Sequence, residues 1–156
     1  MTLSVGDPAP DFTLPDGNGN PVQLSNFHGN WVVLYFYPRD NTPGCTKEAC
    51  GFRDAYGDYQ KLDGVVLGVS TDDAKAHTKF SAKYSLPFPL LTDADGKVAA
   101  DYGSYGLKKF MGKEYMGISR STFIIGPDGT LKKIYRKVKP EPHAAEVLAD
   151  LASLTA

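Results

Sequence analysis

Cys45 and Cys50 are the only cysteines in 156 residues, and both lie in the stretch Pro38-Arg-Asp-Asn-Thr42-Pro-Gly-Cys45-Thr-Lys-Glu48-Ala-Cys50. In a reducing compartment a close pair of this kind suits catalysis, redox exchange or metal binding better than a structural disulfide. The stretch follows the apolar run Trp31 to Tyr37. An apolar run, then Pro/Gly punctuation, then helical periodicity reads as strand, loop and helix. Cys45 then stands at or just before a helix N-terminus, where unpaired N–H groups and the helix dipole favour a thiolate. Gly44 lets the backbone approach closely, Pro38 and Pro43 stiffen the loop, and Thr42 can aim its hydroxyl at the sulfur from three residues away.

Cys50 lies five residues beyond Cys45. In an intact α-helix that spacing is about 140° around the axis, with Cα atoms roughly 8–9 Å apart. A disulfide tolerates at most about 7 Å. The two sulfurs can therefore bond only if the first turns of the helix unravel. Gly51 and Gly57 weaken the helix by about 1 kcal/mol each relative to alanine, although glycines used for close packing would look the same.

The chain is long enough for one domain, 1–156, with a sizeable core. A net charge of −1 offers no field for nucleic acid. Met1 to Pro8 carries no basic-then-apolar leader and the longest apolar run is seven residues, so the expectation is a cytoplasmic protein with no membrane span.

The surrounding elements follow from periodicity. Phe12-Thr-Leu14 and Val22-Gln-Leu24 around Asp16-Gly-Asn-Gly-Asn20 predict an N-terminal β-hairpin. Trp31–Tyr37 and Val65–Ser70 read as buried strands, and Leu90–Thr92 as a short one. Cys45, Ala49, Phe52, Tyr56 and Tyr59 share one helix face, which predicts a continuous helix through Tyr59. Thr71-Asp72-Asp73 caps a helix to about Tyr84, and Lys97–Tyr102 forms a brief one. Asp93-Ala-Asp-Gly96 reads as a turn, because the remaining ligands of a calcium loop are missing. Residues 103–117 show no period and are expected to be a functional loop, with Tyr105, Phe110, Tyr115 and Met116 at the site's mouth or over the core. Arg120–Ile125 and Leu131–Arg136 form a hairpin around Gly126-Pro-Asp-Gly129. The last helix begins near Pro142 and presents Ala144, Val147, Leu148, Leu151 and Leu154 on one stripe. Strands alternating with helices imply an α/β fold with a mixed sheet.

Pro38-x-x-x-Thr42-x-x-Cys45, with Tyr35-Phe-Tyr37 before it and Glu48 after it, resembles the active-site signature of the peroxiredoxins. Asn41-Thr-Pro-Gly-Cys-Thr46 with Cys50 is similar to the bacterioferritin-comigratory, or Q-type, subfamily. Gly6-Asp-x-Ala-Pro10-x-Phe12-x-Leu14, Leu67–Ser70, Phe110–Lys113 and Arg120–Ile125 extend the similarity over nearly the whole chain. The resemblance implies a thioredoxin-like fold, a central mixed β-sheet flanked by helices, and thiol peroxidase activity without a cofactor. It makes Cys45 the peroxidatic nucleophile. Thr42 would bond the sulfur and the peroxide, Arg120 would stabilise the thiolate and the developing oxyanion, Glu48 would hold Arg120, and Pro38 would shield the sulfur from bulk water. Cys50 would resolve the sulfenic acid, and thioredoxin or a similar dithiol would reduce the disulfide. Some Q-type members carry the resolving cysteine on the next helix, around Ser81 here. This chain has no third cysteine, so Cys50 is the internal candidate, and an internal partner permits a monomer.

Other readings compete. Cys45 on an apolar face suits an inert buried thiol. A general disulfide oxidoreductase would normally carry C-x-x-C, which is absent, and a non-enzymatic redox sensor or chaperone could also use helix unravelling. His28, His77 and His143 are scattered; each reads as a surface or satisfied histidine and no spacing suggests a metal cluster, while a Cys–His hydrolase would need one of them beside Cys45. Lys132, Lys133, Arg136, Lys137 and Lys139 read as a lysine-protected edge strand and solvated surface rather than a docking patch.

Overall fold

The computed structural model describes residues 3–156. Strands β1 (Thr13–Pro15) and β2 (Pro21–Gln23) form the N-terminal hairpin, with Leu14 opposite Val22. The central strand β3 (Trp31–Phe36) is followed by helices α1 (Pro43–Asp54) and α2 (Tyr56–Lys61). Strand β4 (Gly64–Ser70), helix α3 (Ala74–Tyr84), strand β5 (Leu90–Thr92) and helix α4 (Lys97–Asp101) come next. Strands β6 (Tyr105–Phe110) and β7 (Lys113–Ile118) form a two-stranded ribbon. The chain ends with β8 (Ser121–Ile125), β9 (Leu131–Tyr135) and helix α5 (His143–Thr155).

The main sheet runs β5-β4-β3-β8-β9. β3, β4 and β5 are parallel, whereas β8 runs antiparallel to β3 and β9 antiparallel to β8. This is the mixed, thioredoxin-like sheet. Strand alternation divides the core. Val32, Leu34 and Phe36 point to a layer with Phe12, Leu14, Leu67, Tyr102 and Phe123. Val33, Tyr35 and Tyr37 point to the opposite layer, where α1, α3 and α5 supply Cys45, Ala49, Phe52, Phe80, Ala144, Val147 and Leu151. Cys45 is thus built into a core-facing helix surface.

Three expectations change. The helix from Cys45 does not run unbroken to Tyr59: Ala55 (φ −94°, ψ 1°) leaves helical geometry and separates α1 from α2. Residues 103–117 are not a loop but mostly the β6–β7 ribbon, turned by Met111 and Gly112 at φ 51° and 79°. Two successive left-handed residues make the tight hairpin turn that matches strand twist. The ribbon's period is hidden because Leu107, Met111, Tyr115 and Met116 are exposed, so no buried face marks alternate residues. Tyr105 is half-buried against the core; the side chain of Phe110 lies outside the described residues. Leu154 is exposed at the end of α5 rather than on its buried stripe. His77 and His143 are buried with hydrogen-bond partners, the satisfied alternative of the two readings. β9 is an edge strand, and its lysines pair locally, Lys132 with Asp128 and Lys133 with Asp150.

Gly68 of β4 shows how tightly the layer beside α1 is filled. A Cβ there would stand 2.8 Å from Leu90 Cδ2 and 2.9 Å from the Tyr35 ring. Both neighbours are buried, so neither can swing aside. Gly68→Ala is expected to lower stability by about 1–3 kcal/mol, measured by denaturant unfolding.

Candidate active site

β3 delivers the chain to the site and Tyr37 N–H still bonds the Val69 carbonyl, 3.1 Å away. The loop from Pro38 to Thr42 then turns the chain into α1. Thr42 caps the helix in extended geometry (φ −97°, ψ 155°), Pro43 occupies its first turn, and Thr46 N–H donates to the Thr42 carbonyl at 2.8 Å. Proline suits that place because its missing N–H would have been unpaired anyway. Cys45 is therefore the third helical residue.

Cys45 is buried at 1 % exposure. Its sulfur accepts a hydrogen bond from Arg120 Nη2 at 3.3 Å, and Arg120 Nη1 donates to Glu48 Oε1 at 2.6 Å. Sheet register explains the meeting of residues seventy-five positions apart. Ser121 lies opposite Phe36, so Arg120 stands beside the end of β3 where the loop to Cys45 departs. Glu48 follows Cys45 by three residues and shares its helix face. Gly44 leaves room for the guanidinium: a Cβ there would be 3.1 Å from Nη2.

Burial pushes the Glu48 carboxyl up to about 7, outweighing the attraction of Arg120. Its Oε2, like the Tyr35 hydroxyl, is buried without a partner among the described residues. Burial disfavours the Arg120 charge, but Glu48 and Cys45 more than offset it and hold Arg120 above its ordinary value. Lys108 of β6 is held below the usual lysine range by burial and then by the like charge of Arg120, so the ribbon stands near the site. The sequence places this segment at the site's mouth or over the core but does not single out Lys108.

The remaining residues are placed differently. Thr42 Oγ1 donates to the Arg39 carbonyl at 2.9 Å, and no hydrogen bond joins it to Cys45 among the described residues. Pro38 is exposed in the loop. Cys50 is half-buried, and both thiols are free within a continuous α1. A cleft of about 370 Å³ opens beside the start of α1, lined by Pro43, Gly44, Lys47, Lys139, Pro140 and Pro142. His77 bonds Asp40 and the Leu91 carbonyl, and His143 bonds Thr122 and Glu146, so both rings are engaged away from the sulfur. Among the described residues no three His, Cys, Asp or Glu side chains form a metal-binding group.

The Glu48 carboxyl binds its proton more tightly in the folded chain, at about 7 against an ordinary 4.5. The stability from that proton is complete below about pH 4.5 and is lost as pH rises through about 7. Relative to Glu48→Gln, the native chain is expected to lose about 3 kcal/mol of stability across that window. Denaturant unfolding of both proteins at several pH values checks this; a pH-independent difference would contradict it.

Comparison with known proteins agrees with the geometry. The AhpC/TSA family matches residues 5–134. The chain is 49 % identical over 155 residues to peroxiredoxin Bcp of Bacillus subtilis, covering 99 % of each. It is 44 % identical over 146 residues to peroxiredoxin Bcp of Escherichia coli, covering 94 % of each. Among solved structures it is similar to the bacterioferritin comigratory protein of Xanthomonas campestris, with a TM-score of 0.88, 38 % identity and coverage of 93 % and 92 %. A mutant of Xylella fastidiosa PrxQ superposes with a TM-score of 0.94 at 34 % identity, covering 100 % of this chain and 99 % of that one. The chain belongs to the AhpC/TSA family of peroxiredoxins, in its bacterioferritin-comigratory, or Q-type, branch.

Proposed function

We propose that this chain is a thiol-dependent peroxidase acting as a single-domain, cytoplasmic monomer on hydrogen peroxide and organic hydroperoxides, with thioredoxin or a similar dithiol as reductant. The observation that carries the reading is the 3.3 Å hydrogen bond from Arg120 Nη2 to Cys45 Sγ in a buried pocket at a helix start. The alkyl peroxide reduction activity described for the Xanthomonas campestris protein supports organic hydroperoxides as substrates.

In this reading the Cys45 thiolate attacks the terminal peroxide oxygen. An S–O bond forms, the O–O bond breaks, and the leaving oxygen takes a proton to depart as water or an alcohol. Charge moves from sulfur to oxygen along a path lined by the Arg120 guanidinium and the first N–H groups of α1, donors fixed before the reaction begins. Glu48 fixes Arg120 through its second arm. Thr42 assists by turning its hydroxyl from the Arg39 carbonyl toward the peroxide, and Pro38 closes the loop over the sulfur. Cys45 is left as a sulfenic acid. The first turns of α1 then open, Cys50 attacks the Cys45 sulfur, water leaves, and a disulfide joins the two. The dithiol restores both thiols by exchange.

Peroxide consumption coupled to a thioredoxin system tests the proposal. Cys45→Ser is expected to abolish turnover. Cys50→Ser is expected to consume one equivalent of peroxide and accumulate a sulfenic acid at Cys45, captured by a sulfenate trap and located by peptide mass. Full activity in Cys45→Ser would end the reading, and the absence of trapped sulfenate in Cys50→Ser would remove the role of Cys50.

A further inference from the structure

The loop that carries Pro38 and Thr42 is held by a buried polar cluster that the peroxidase chemistry does not use. Asp40, in the middle of the loop, is buried at 8 % exposure. Its Oδ1 accepts from the Tyr37 hydroxyl, and its Oδ2 lies 2.6 Å from His77 Nδ1. His77, on α3, is buried at 1 % exposure, and its Nε2 lies 3.0 Å from the Leu91 carbonyl of β5. Both ring nitrogens are thus engaged, Nδ1 by the Asp40 carboxyl and Nε2 by the Leu91 carbonyl. The backbone N–H of Asp40 donates at 2.7 Å to Asp72 Oδ2, which also accepts from Ser70 Oγ at 2.7 Å. One loop residue is thereby tied to α3, β5 and the end of β4. The next residue, Asn41, is turned left-handed (φ 59°) and leads directly to Thr42.

We propose that His77 is a positioning residue for the peroxide reaction: through Asp40 it fixes the loop that presents Pro38 and Thr42, without touching the sulfur or the substrate. The inference rests on the peroxidase reading. The physical ground is that donors must be held before charge develops, and displacement of a reacting group by about 1 Å can cost on the order of a hundredfold in rate. Cys45 itself is held separately by α1 and Arg120. Losing the Asp40–His77 link therefore impairs the peroxide step while leaving the sulfur's general reactivity in place.

The test compares two second-order rate constants at Cys45 in the reduced chain, one with hydrogen peroxide and one with iodoacetamide, an alkylating agent that does not need the loop. His77→Asn keeps a donor toward Asp40. His77→Gln keeps a donor toward Leu91 and loses Asp40. Asp40→Asn keeps a link on both sides, its amide oxygen accepting from Tyr37 and its amide N–H donating to His77 Nδ1, which leaves Nε2 on the Leu91 carbonyl. The expected result is a fall of about tenfold or more in the peroxide rate for His77→Gln, with His77→Asn and Asp40→Asn within about threefold of the native chain. Alkylation stays within about threefold in all variants. An undiminished peroxide rate in His77→Gln, an equal loss in His77→Asn, or a parallel loss of alkylation would overturn the positioning role. A native chain with no peroxide reaction dependent on Cys45 would overturn the peroxidase reading itself, and this role with it.

Discussion

The rise and twist of an α-helix constrain everything else in this molecule. Within the unbroken helix Pro43–Asp54, residues five apart stand about 140° around the axis, and their Cα atoms are too distant for a disulfide. The same helix that holds Cys45 against Arg120 keeps it from Cys50. Reaction with peroxide and formation of a Cys45–Cys50 disulfide therefore need different backbones, and the proposed cycle requires α1 to alternate between them.

The forces on α1 are arranged unevenly along its length. Its C-terminal half is anchored in the core: Phe52 is fully buried, Arg53 Nη1 donates to the Tyr84 carbonyl at 2.8 Å, and Gly51 packs against Ala144 of α5. Gly51 is thus a site of close packing as well as a weak helix former. The first turns are held chiefly by one polar device, Arg120 shared between Glu48 and the Cys45 sulfur. That device carries a cost, since Glu48 is wholly buried and one of its carboxylate oxygens has no partner among the described residues. Opening the first turns returns Glu48 to water and relieves the desolvation, which partly offsets the lost packing of Cys45. A helix firmly rooted at one end and expensively polar at the other is suited to local opening.

The chemistry was more legible in the sequence than its surroundings. β3, β4 and β8 are apolar on both faces, so each stood out as a short run between turns, and Pro43-Gly-Cys45 marked the helix start. The meeting of Arg120 with Cys45 is a product of sheet register, which periodicity does not encode; only the family resemblance pointed to it. The β6–β7 ribbon escaped notice because it buries no continuous face, leaving no alternation to find. The Ala55 break was masked by Tyr56 and Tyr59, which continue the apolar stripe across it. His77 read as a surface or satisfied histidine with no partner named, since Asp40 is thirty-seven residues away and joined to it only by the packing of α3 against the sheet.

The alternation of α1 is most directly tested by amide hydrogen exchange on the reduced protein and on the protein oxidised by one equivalent of peroxide. The account predicts that oxidation removes protection over residues 43–50, while strands β3 and β8 keep theirs. Full protection of α1 in a protein whose peptide map shows the Cys45–Cys50 disulfide would contradict it.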